Sequence, residues 1–475
     1  MVNARRIVIV GGGITGLATA HALMSGARAT KRALRITLLE RASRLGGNII
    51  TERRDGFTLD GGPDSWVASK PQATALARGV GLGDELVSTI EAYRRVYVAW
   101  DGVLHALPEG LILAVPTRVL PVLKSNLFSW RAKLRMGLEP FVPRHVSSDD
   151  EDESIGSFVS RRLGREVSDR LAAPLLGGIF AGDANELSIR ATFPQFVEME
   201  AKHGSLIRAM RGSPRAVATP GKATPSAFTS LRGGMGSVID ALKTALTDVD
   251  IRLGARVQTI ARLPSGDARG RYAIAIEGAE TLYADDVVLA TPAHATAEML
   301  QELDAAVADE LAAIPYTSTA TVFLAFRRED VKHPLDATGF IVPRSLGRPM
   351  LAATWVTSKW ASRAPSGNVL MRVFFGGSLG QGVLAEDDAA LATLAQSELG
   401  ALMGGLDATP LFTRVFRFDR ASAQPLVGHL ARMRRVRAGL ERLPGVHVAG
   451  GGLDGIGIPD CVRQGGDVAI RILAE

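Results

Sequence analysis

The hydrophobic residues near the start of the chain change period twice. Residues 7–10 form a short β-branched run that predicts a buried strand and ends at three glycines. Over residues 14–25 the apolar positions, among them Leu17 and Ala20, recur at helical spacing, and residues 34–40 return to a strand pattern. A strand, a glycine turn, a helix and a second strand together predict a βαβ unit.

Strand patterns return in the middle and at the end of the chain. Residues 254–290 contain three short β-rich runs separated by turn residues, and residues 319–326, 369–377 and 445–451 are further candidate strands. We expect strands from the beginning, middle and end of the chain to meet in one sheet. The fold class expected from these patterns is α/β, with α+β character in part of the chain.

Three other segments interrupt this pattern. Residues 104–130 are apolar but broken by proline and charge, which leaves two interpretations: an interfacial segment on a membrane, or a helical subdomain packed on the core. No apolar run reaches the ~18 residues of a membrane span, and the run at 7–10 is too short for a signal peptide. The acidic run 147–154 and residues 211–227, rich in Pro, Ala and Ser, are expected to be exposed linkers, the second one mobile.

Composition narrows the class of protein. A chain of 475 residues predicts two or three domains, and 46% hydrophobic with 22% charged residues indicates a folded, soluble protein. The net charge of +6 suits an anionic small molecule, an anionic membrane surface or an ordinary solvated surface, but no basic cluster with interleaved aromatics predicts nucleic-acid binding. The single cysteine, Cys461, allows no internal disulfide and fits a reducing cytoplasm.

The glycine turn after the first strand carries a G-x-G-x-x-G pattern. Gly11 suits the tight turn, Gly13 allows a pyrophosphate to approach the backbone, and Gly16 allows helix and strand to pack closely. Glu40 ends the next strand 24 residues later, where an acid can bind a ribose. The alternative is a glycine-rich turn without a ligand. The predicted dinucleotide contacts are Gly11, Gly12, Gly13, Ile14, Thr15, Gly16 and Glu40.

Later motifs indicate which dinucleotide binds. RASRLGGNI (41–49), DGGPDSW (60–66) and VVLATPAHA (287–295) occur in the order of the fingerprints of the FAD-dependent amine oxidase superfamily, which the chain resembles. The resemblance implies that FAD is the cofactor, that the 60–66 turn lies against its isoalloxazine ring, and that Val257 flanks its adenine. It adds these cofactor contacts: Arg41, Arg44, Gly46, Gly47, Asn48, Gly62, Pro63, Asp64, Ser65 and Val257.

A second glycine-rich segment, GGGLDGIGIPDC (450–461), lies near the end of the chain. In the same superfamily such a segment touches the flavin from the other side, which implies contacts at Ile456, Gly457 and Ile458. A helix beginning near Pro459 would point its positive end at the ring. Cys461 is then either a thiol activated by the helix N-terminus or a small buried helix residue.

Longer segments narrow the resemblance. Residues 178–196 with 198–207, and residues 450–461, are similar to signatures of the protoporphyrinogen oxidase family. Residues 355–377 and the GIPDC ending are most similar to its Gram-positive-type bacterial branch, which makes coproporphyrin III from coproporphyrinogen III. The resemblance extends over residues 7–473.

The family reaction sets the expected chemistry. It removes six electrons and six hydrogens from a porphyrinogen in three two-electron rounds through FAD, and dioxygen reoxidises the flavin and becomes hydrogen peroxide. It needs an apolar pocket with cations for the propionates, and neither a metal site nor a nucleophilic triad is expected. The chain departs from the family at Phe418, usually Trp, and at Pro425, usually Tyr, and Asn48 stands at a variable position; these affect packing around the flavin.

Small and cationic residues are the candidate substrate contacts. Lys70 follows the 60–66 turn and Arg95 precedes a predicted hairpin, with Arg94 as a further cation; the alternative for each is a plain surface charge. The small residues near 178–182 would let a macrocycle lie against the backbone, or else they end a helix. The aromatic residue Phe340, much later in the chain, is either a wall of the substrate pocket or part of the core. The predicted set is Lys70, Arg95, Gly178, Ala181, Gly182 and Phe340.

These expectations combine into one architecture and one reaction. A Rossmann-like FAD-binding domain is interleaved with a substrate-binding domain, and a helical subdomain is open to membrane association. Localisation is expected to be cytoplasmic, with peripheral membrane contact and transient contact with the next haem-pathway enzyme suggested by analogy. The expected bounds are 1–69, 231–298 and 420–475 for the FAD domain, 70–92, 208–230 and 299–419 for the substrate domain, and 93–207 for the helical subdomain.

Other functions remain open at this point. Coproporphyrinogen III is the expected substrate, and protoporphyrinogen IX is the alternative within the same class. An amine oxidase or a carotenoid desaturase would share the scaffold. A flavin- or haem-binding partner protein without catalysis is the non-enzymatic alternative.

Overall fold

The computed structural model describes residues 4–112, 114–145, 151–212 and 226–475, so most of the two predicted linkers lies outside the described residues. The strands are β1 (Arg5–Val10), β2 (Leu34–Glu40), β3 (Thr51–Arg54), β4 (Phe57–Asp60), β5 (Trp66–Val67), β6 (Leu86–Ser88), β7 (Tyr97–Trp100), β8 (Val103–Ala106), β9 (Leu111–Ile112), β10 (Val115–Pro116), β11 (Phe228–Leu231), β12 (Val249–Leu253), β13 (Val257–Arg262), β14 (Tyr272–Ile276), β15 (Leu282–Ala284), β16 (Asp286–Leu289), β17 (Tyr316–Arg327), β18 (Gly339–Ile341), β19 (Met350–Trp355), β20 (Asn368–Gly376), β21 (Phe412–Ala423) and β22 (Val446–Val448).

The helices are distributed along the whole chain, and a π-helical segment, Ser168–Gly177, continues the sixth of them. They are α1 (Ile14–Thr30), α2 (Pro71–Gly79), α3 (Val119–Lys124), α4 (Trp130–Gly137), α5 (Ile155–Leu163), α6 (Arg165–Val167), α7 (Ile189–Thr192), α8 (Pro194–His203), α9 (Leu206–Gly212), α10 (Gly236–Ala245), α11 (Ala293–Leu300), α12 (Ala305–Ala312), α13 (Val356–Lys359), α14 (Asp388–Met403), α15 (His429–Leu440) and α16 (Ile458–Ala474).

A five-stranded parallel sheet joins the two ends and the middle of the chain. Its strand order is β12-β2-β1-β16-β22, which confirms the expected meeting of early, middle and late strands. Alternate residues of β1 point to opposite faces, so Ile7 and Ile9 pack with α1, α10 and α16, while Val8 and Val10 pack under β13–β15, α11, α12 and α15. Both faces are therefore buried, as is usual for a parallel sheet.

The first and last helices cross closely on one face of this sheet. A Cβ at Gly465 would lie 2.8 Å from the carbonyl oxygen of Thr15 and 2.9 Å from Oγ1 of Thr19. Only glycine fits at this contact. The close crossing brings the N-terminus of α16 beside the N-terminus of α1.

The second large sheet of the structure is mixed and has seven strands. Its order is β21-β17-β20-β19-β18-β7-β8, and all its neighbouring strands are antiparallel except β18 and β7. Helix α14 packs on one face of this sheet. Residues 97–106, which the predicted bounds give to the helical subdomain, form the β7–β8 hairpin of this sheet. The mixed α/β fold class is confirmed.

Helices α3–α9 and the π-helical segment pack around their own apolar core. A buried ion pair between Arg162 and Glu139 lies inside this unit, and both side chains are fully inaccessible to solvent. Of the helices in the described part of the chain, none combines the length and the apolar character that crossing a bilayer requires.

Candidate functional site

A cavity of about 810 Å³ opens at the carboxyl ends of β1, β2, β16 and β22. Open α/β sheets bind ligands at this edge. Its walls come from widely separated parts of the chain. The lining residues include Gly11, Gly13, Ile14, Thr15, Glu40, Arg41, Gly46, Gly47, Asn48, Pro63, Val257, Ile456 and Ile458 among the predicted cofactor contacts.

The three glycines of the first turn have three different environments. Gly11 has a φ of +109°, and a Cβ there would lie 2.6 Å from the carbonyl oxygen of Ala290. A Cβ at Gly16 would overlap the carbonyl oxygen of Gly11, whereas a Cβ at Gly13 would meet no protein atom within 4 Å. The backbone at Gly13 therefore borders open space in the cavity, where a ligand can come close.

Helix α1 begins at this turn without a side-chain cap. Its N-cap residue is Gly13, so no side chain occupies the free N–H groups of the first turn. These groups and the helix dipole favour an anion such as a diphosphate. Gly12 lies just behind, where its N–H donates to Oε2 of Glu40 at 2.7 Å.

Glu40 is fixed at the cavity wall by the backbone. Its Oε2 accepts from Gly12 and its Oε1 accepts from the N–H of Ala42 at 2.8 Å. Each carboxylate oxygen keeps a further lone pair, which can accept from a ribose hydroxyl.

The glycine pair Gly46 and Gly47 packs directly on the glycine turn after β1. Gly46 has a φ of +103°, and its N–H donates to the carbonyl oxygen of Gly12 at 2.8 Å. A Cβ at Gly47 would lie 3.4 Å from Cα of Gly13. Arg44 holds this loop from outside the cavity, because its Nη2 donates to the carbonyl oxygen of Gly47 at 2.6 Å. Asn48 joins two walls, since its Nδ2 donates to the carbonyl oxygen of Ala421 at 3.3 Å.

A buried cation supports the turn at 61–64. Nη2 of Arg372 donates to the carbonyl oxygens of Gly61 at 2.6 Å and of Gly62 at 2.7 Å. Burial lowers the pKa of Arg372 to about 10, against the opposing charges of Asp64 and Asp60. Arg372 thus remains charged at neutral pH and holds the turn whose Pro63 lines the cavity.

Two predicted cofactor contacts lie behind this turn, outside the cavity wall. Asp64 pairs with Nζ of Lys359 at 2.8 Å and accepts from Nε1 of Trp360 at 3.1 Å. Burial alone would raise the pKa of Asp64, but the charges of Lys359 and Arg372 lower it well below its ordinary value. Ser65 donates to Oδ1 of Asp64 at 2.7 Å. The structure places both residues as supports of the turn.

The C-terminal segment closes the cavity from the other side. Gly450 and Gly451 line it with Ile456 and Ile458, and α16 begins at Ile458 behind the uncapped N-cap residue Gly457. The N-termini of α1 and α16 therefore both lie at this cavity.

Cys461 lines the same wall but is not activated. Its thiol is buried, and burial raises its pKa to about 11 despite a hydrogen bond with Thr15. Desolvation outweighs the helix N-terminus here. Of the two interpretations of Cys461, the structure supports the small buried helix residue.

The predicted substrate contacts are distributed over several places. Nζ of Lys70 pairs with both carboxylate oxygens of Asp460, in the first turn of α16, at 2.7 Å. Arg95 is exposed, and its carbonyl oxygen accepts from the N–H of Thr338 at 2.9 Å. Phe340 is buried in the core of the seven-stranded sheet, with its ring centroid 6.1 Å from that of Trp355.

The small residues of the 177–182 turn end the π-helical segment. Ala181 has a φ of +50°, and the N–H of Gly182 donates to the carbonyl oxygen of Gly177 at 3.0 Å. A Cβ at Gly182 would overlap Oε1 of Gln424, while a Cβ at Gly178 would meet nothing within 4 Å. Glycine is thus required by packing at 182, and Gly178 faces open space.

Sequence reasoning missed several lining residues. Tyr316, at the start of β17, and residues 421–423, at the end of β21, reach the cavity only because these two strands pair across the seven-stranded sheet. The hydroxyl of Tyr316 accepts from the N–H of Ala293 at 2.9 Å. No local motif marks these residues. No cluster of metal-ligating side chains occurs among the residues that the structure describes.

The residues present fit an FAD. The cavity has two uncapped helix N-termini, a glycine surface without side chains at Gly13 and Gly47, and a carboxylate at the end of β2. These are the groups that a diphosphate and a ribose require.

Comparison with known proteins gives the family of this chain. The chain matches the family of flavin containing amine oxidoreductases over residues 14–473. It is 33% identical to the coproporphyrinogen III oxidase of Bacillus subtilis (strain 168), over 97% of this chain and 96% of that protein. It is 29% identical to the chloroplastic protoporphyrinogen oxidase 1 of Arabidopsis thaliana, over 98% of this chain and 87% of that protein. The crystal structure of a candidate protoporphyrinogen oxidase from Exiguobacterium sp. 255-15 has a TM-score of 0.86 at 33% identity and covers 100% of both chains.

The chain therefore belongs to the flavin-containing amine oxidoreductase family, together with the coproporphyrinogen III and protoporphyrinogen oxidases that it resembles over nearly its whole length. This confirms the predicted cofactor, FAD, and the predicted class, an FAD-dependent oxidoreductase.

Proposed function

We propose that this chain is an FAD-dependent oxidase that converts coproporphyrinogen III to coproporphyrin III in haem biosynthesis, with dioxygen as the acceptor. The observation that carries the proposal is the similarity to the Bacillus subtilis coproporphyrinogen III oxidase, which covers 97% of this chain and 96% of that protein. A match of this extent includes the segments outside the cofactor cavity as well as those that line it.

The cofactor would lie along the cavity at the sheet edge. The first turn, with Gly13 and the N-terminus of α1, would hold the diphosphate, Glu40 the ribose, and Val257 the adenine. Gly47, Asn48 and the segment 456–458 would border the ring. Bound FAD supplies the hydride acceptor and delivers the electrons to oxygen.

Residues of the chain would position the cofactor and the substrate and set the electrostatic potential around them. The positive end of α16 favours negative charge at the adjoining ring edge. Arg372 fixes the 61–64 turn on the other side. Lys70 would donate to a substrate propionate, and since its Nζ already pairs with Asp460 at 2.7 Å, the propionate would compete with Asp460.

Protoporphyrinogen IX is the second candidate substrate, supported by the 29% identity to the Arabidopsis protoporphyrinogen oxidase 1. The two porphyrinogens differ in charge, because coproporphyrinogen III has four propionates and protoporphyrinogen IX has two. Buried carboxylates require partners, so cations on more than one side of the pocket favour the first.

A side-by-side assay tests the proposal. The purified yellow holoprotein is supplied aerobically with each porphyrinogen, and porphyrin fluorescence is followed against heat-inactivated protein, which corrects for spontaneous oxidation. We expect a higher kcat/KM for coproporphyrinogen III. A higher kcat/KM for protoporphyrinogen IX would make that compound the substrate in place of coproporphyrinogen III. Turnover of amines alone would contradict the proposal.

Membrane contact is proposed for the face of the helical subdomain that α3, α4 and the 3₁₀ turn Glu139–Phe141 form. Nζ of Lys133 donates to the carbonyl oxygen of Leu123 at 2.9 Å and joins the two helices. Trp130 is 70% and Phe141 76% exposed, and the exposed cations Arg118, Lys124 and Arg131 lie nearby in the chain. This apolar face consists of Val119, Leu120, Leu123, Trp130, Leu134, Leu138 and Phe141.

Vesicle flotation tests this contact. At physiological ionic strength, we expect the wild type to float with vesicles that contain anionic lipid. We expect Trp130→Glu to float less. The matched control is Ile470→Glu on α16, because Ile470 is 67% exposed and thus similar to Trp130. Equal flotation of both variants would contradict the proposal.

The remaining expectations stay proposals. We keep a cytoplasmic location, the three domains at the bounds given above except that the β7–β8 hairpin joins the seven-stranded sheet, and a transient contact with the next haem-pathway enzyme. Limited proteolysis would test the domain bounds, and cross-linking with the purified chelatase that uses the product would test the contact.

A further inference from the structure

A half-buried arginine without an acidic partner lies beside the predicted substrate segment. Arg344 begins the short 3₁₀ turn Arg344–Leu346 after β18, and its Nη2 donates to the carbonyl oxygen of Gly376 at 3.2 Å. Among the described residues, no carboxylate oxygen lies within 4.0 Å of its guanidinium. Arg348 nearby differs, because its Nε is paired with Glu398 at 2.8 Å.

The backbone around this guanidinium is shaped to hold it. A Cβ at Gly377 would lie 3.0 Å from Nη2 of Arg344, and a Cβ at Gly380 would lie 3.1 Å from Nη1. The same turn is fastened to the substrate segment, because the N–H of Ser378 donates to the carbonyl oxygen of Ala181 at 2.9 Å. Arg344 is thus fixed next to the 177–182 turn.

One polar side-chain atom at this place has no partner within the part of the chain that the structure describes. Oγ of Ser378 is buried and has no hydrogen-bond partner. The nearest acid is Asp183, whose Oδ1 already accepts from the N–H of Asn185 at 2.8 Å and from its Nδ2 at 3.1 Å. Burial lowers the pKa of Arg344 from its ordinary value, and the charge of Asp183 opposes this only in part. A half-buried charge with only a carbonyl oxygen as its partner favours binding of a counter-charge.

The same turn adjoins the cofactor cavity. Ser422 lines the cavity, and its Oγ donates to the carbonyl oxygen of Phe180 at 2.8 Å. On the open side Ile179 is 55% and Leu379 60% exposed, and Gly178 faces open space. An apolar edge, with a cation that has no acidic partner among the described residues, therefore adjoins a wall of the cofactor cavity.

We propose that Arg344 binds a carboxylate of the tetrapyrrole substrate, whose macrocycle edge rests on Gly178, Ile179 and Leu379. This inference rests on the proposed function and adds a positively charged contact that the sequence analysis did not find. Arg344 approaches from the seven-stranded sheet, whereas Lys70 precedes α2 and pairs with α16. Cations on two different elements suit a substrate with several propionates.

The test uses the FAD-loaded protein and three variants. Arg344→Met removes the charge and keeps much of the side-chain volume, Arg344→Lys keeps the charge, and Arg348→Met is the matched control whose charge is already paired. Two quantities are measured: the Kd of coproporphyrin III by fluorescence quenching, and KM and kcat for coproporphyrinogen III. Thermal unfolding of each variant accompanies them.

A charge-assisted contact predicts an effect on binding. Arg344→Met should raise both Kd and KM by about 10- to 100-fold, with kcat changed by less than about threefold. Arg344→Lys should recover most of the binding, and Arg348→Met should bind like the wild type.

Other outcomes overturn the inference. An unchanged Kd in Arg344→Met would do so, and so would a loss of kcat at constant KM, or a loss of thermal stability that Arg344→Lys does not restore. If the wild type oxidises neither porphyrinogen but binds coproporphyrin III through Arg344, the proposed function fails and the carboxylate site stands. If the wild type oxidises coproporphyrinogen III and Arg344→Met is unaffected, the reverse holds.

Discussion

Replacing Gly13 by alanine separates folding from cofactor binding. Gly13 has φ −71° and ψ 177°, an extended conformation that any residue can adopt, and a Cβ there meets no protein atom within 4 Å. The added methyl group would enter only the space assigned to the FAD diphosphate. The apoprotein should therefore tolerate the change, and the holoprotein should not.

The magnitudes follow from these contacts. In the apoprotein, alanine reduces the freedom of the unfolded chain but is a poorer N-cap than glycine, so the free energy of unfolding should change by less than about 1 kcal/mol. Moving the phosphate away from the N–H groups of α1 removes about one charge-assisted hydrogen bond, worth about 1.5–3 kcal/mol. The Kd of FAD should rise by about 10- to 100-fold.

Gly16→Ala is the matched control in the same motif. Its Cβ would overlap the carbonyl oxygen of Gly11, so the apoprotein itself should lose about 1–3 kcal/mol of stability or more. Both variants are stripped of flavin, unfolded in urea, and titrated with FAD by quenching of flavin fluorescence.

The reasoning is refuted by either of two results. If Gly13→Ala binds FAD within about threefold of the wild type, the diphosphate does not approach this residue. If Gly13→Ala destabilises the apoprotein as much as Gly16→Ala does, the open space beside Gly13 is not present in the folded protein.

Three further predictions concern buried ionisable groups. Arg162→Met leaves the buried carboxylate of Glu139 without its cation and should cost about 3–5 kcal/mol of unfolding free energy in urea, with FAD affinity unchanged; an unaltered urea midpoint would argue against the buried pair. Burial raises the pKa of Cys461 to about 11, so a thiol reagent at about pH 8 should modify it only when the protein unfolds, and fast labelling of the folded protein would show otherwise. Burial raises the pKa of Asp64, but the charges of Lys359 and Arg372 and the hydrogen bonds from Lys359 and Ser65 together outweigh it, so the net pKa is lowered. The stabilisation is present above the unfolded pKa of 3.8 and is lost as pH falls through the folded pKa. Asp64→Asn should therefore flatten the acid side of the Tm profile, and a profile that keeps its shape would count against this assignment.

The sequence predicted the parts of the fold that local pattern determines. The β1–α1–β2 unit follows from two changes of hydrophobic period, and the glycines of the first turn each have a conformation or a contact that matches their spacing. Strand β22 and α16 were also recognisable, because a short apolar strand runs into glycines before the final helix.

What the sequence did not predict depends on distant partners. The β7–β8 hairpin belongs to the seven-stranded sheet because β7 pairs with β18, far along the chain, and no local pattern reports that pairing. Asp64 turns away from the cavity because Lys359 and Trp360 lie behind it. Phe340 is part of the core for the same reason, since its neighbour Trp355 comes from another strand.

Burial also changed properties that were expected from the local sequence. A helix N-terminus by itself lowers a thiol pKa, yet the pKa of Cys461 rises, because the surrounding helices exclude water from it. The sequence did not indicate Arg344, because a single arginine after a strand forms no pattern. That it has no acidic partner among the described residues can be recognised only from the three-dimensional structure.

The central claim is that this flavoprotein takes electrons from coproporphyrinogen III, and anaerobic reduction tests it most directly. The FAD-loaded protein is mixed with coproporphyrinogen III without oxygen, and the yellow flavin absorption is followed in a stopped-flow instrument. The account predicts rapid bleaching together with the appearance of coproporphyrin III, and recovery of the yellow colour when oxygen is admitted. A flavin that stays oxidised with coproporphyrinogen III but bleaches with an amine would contradict it.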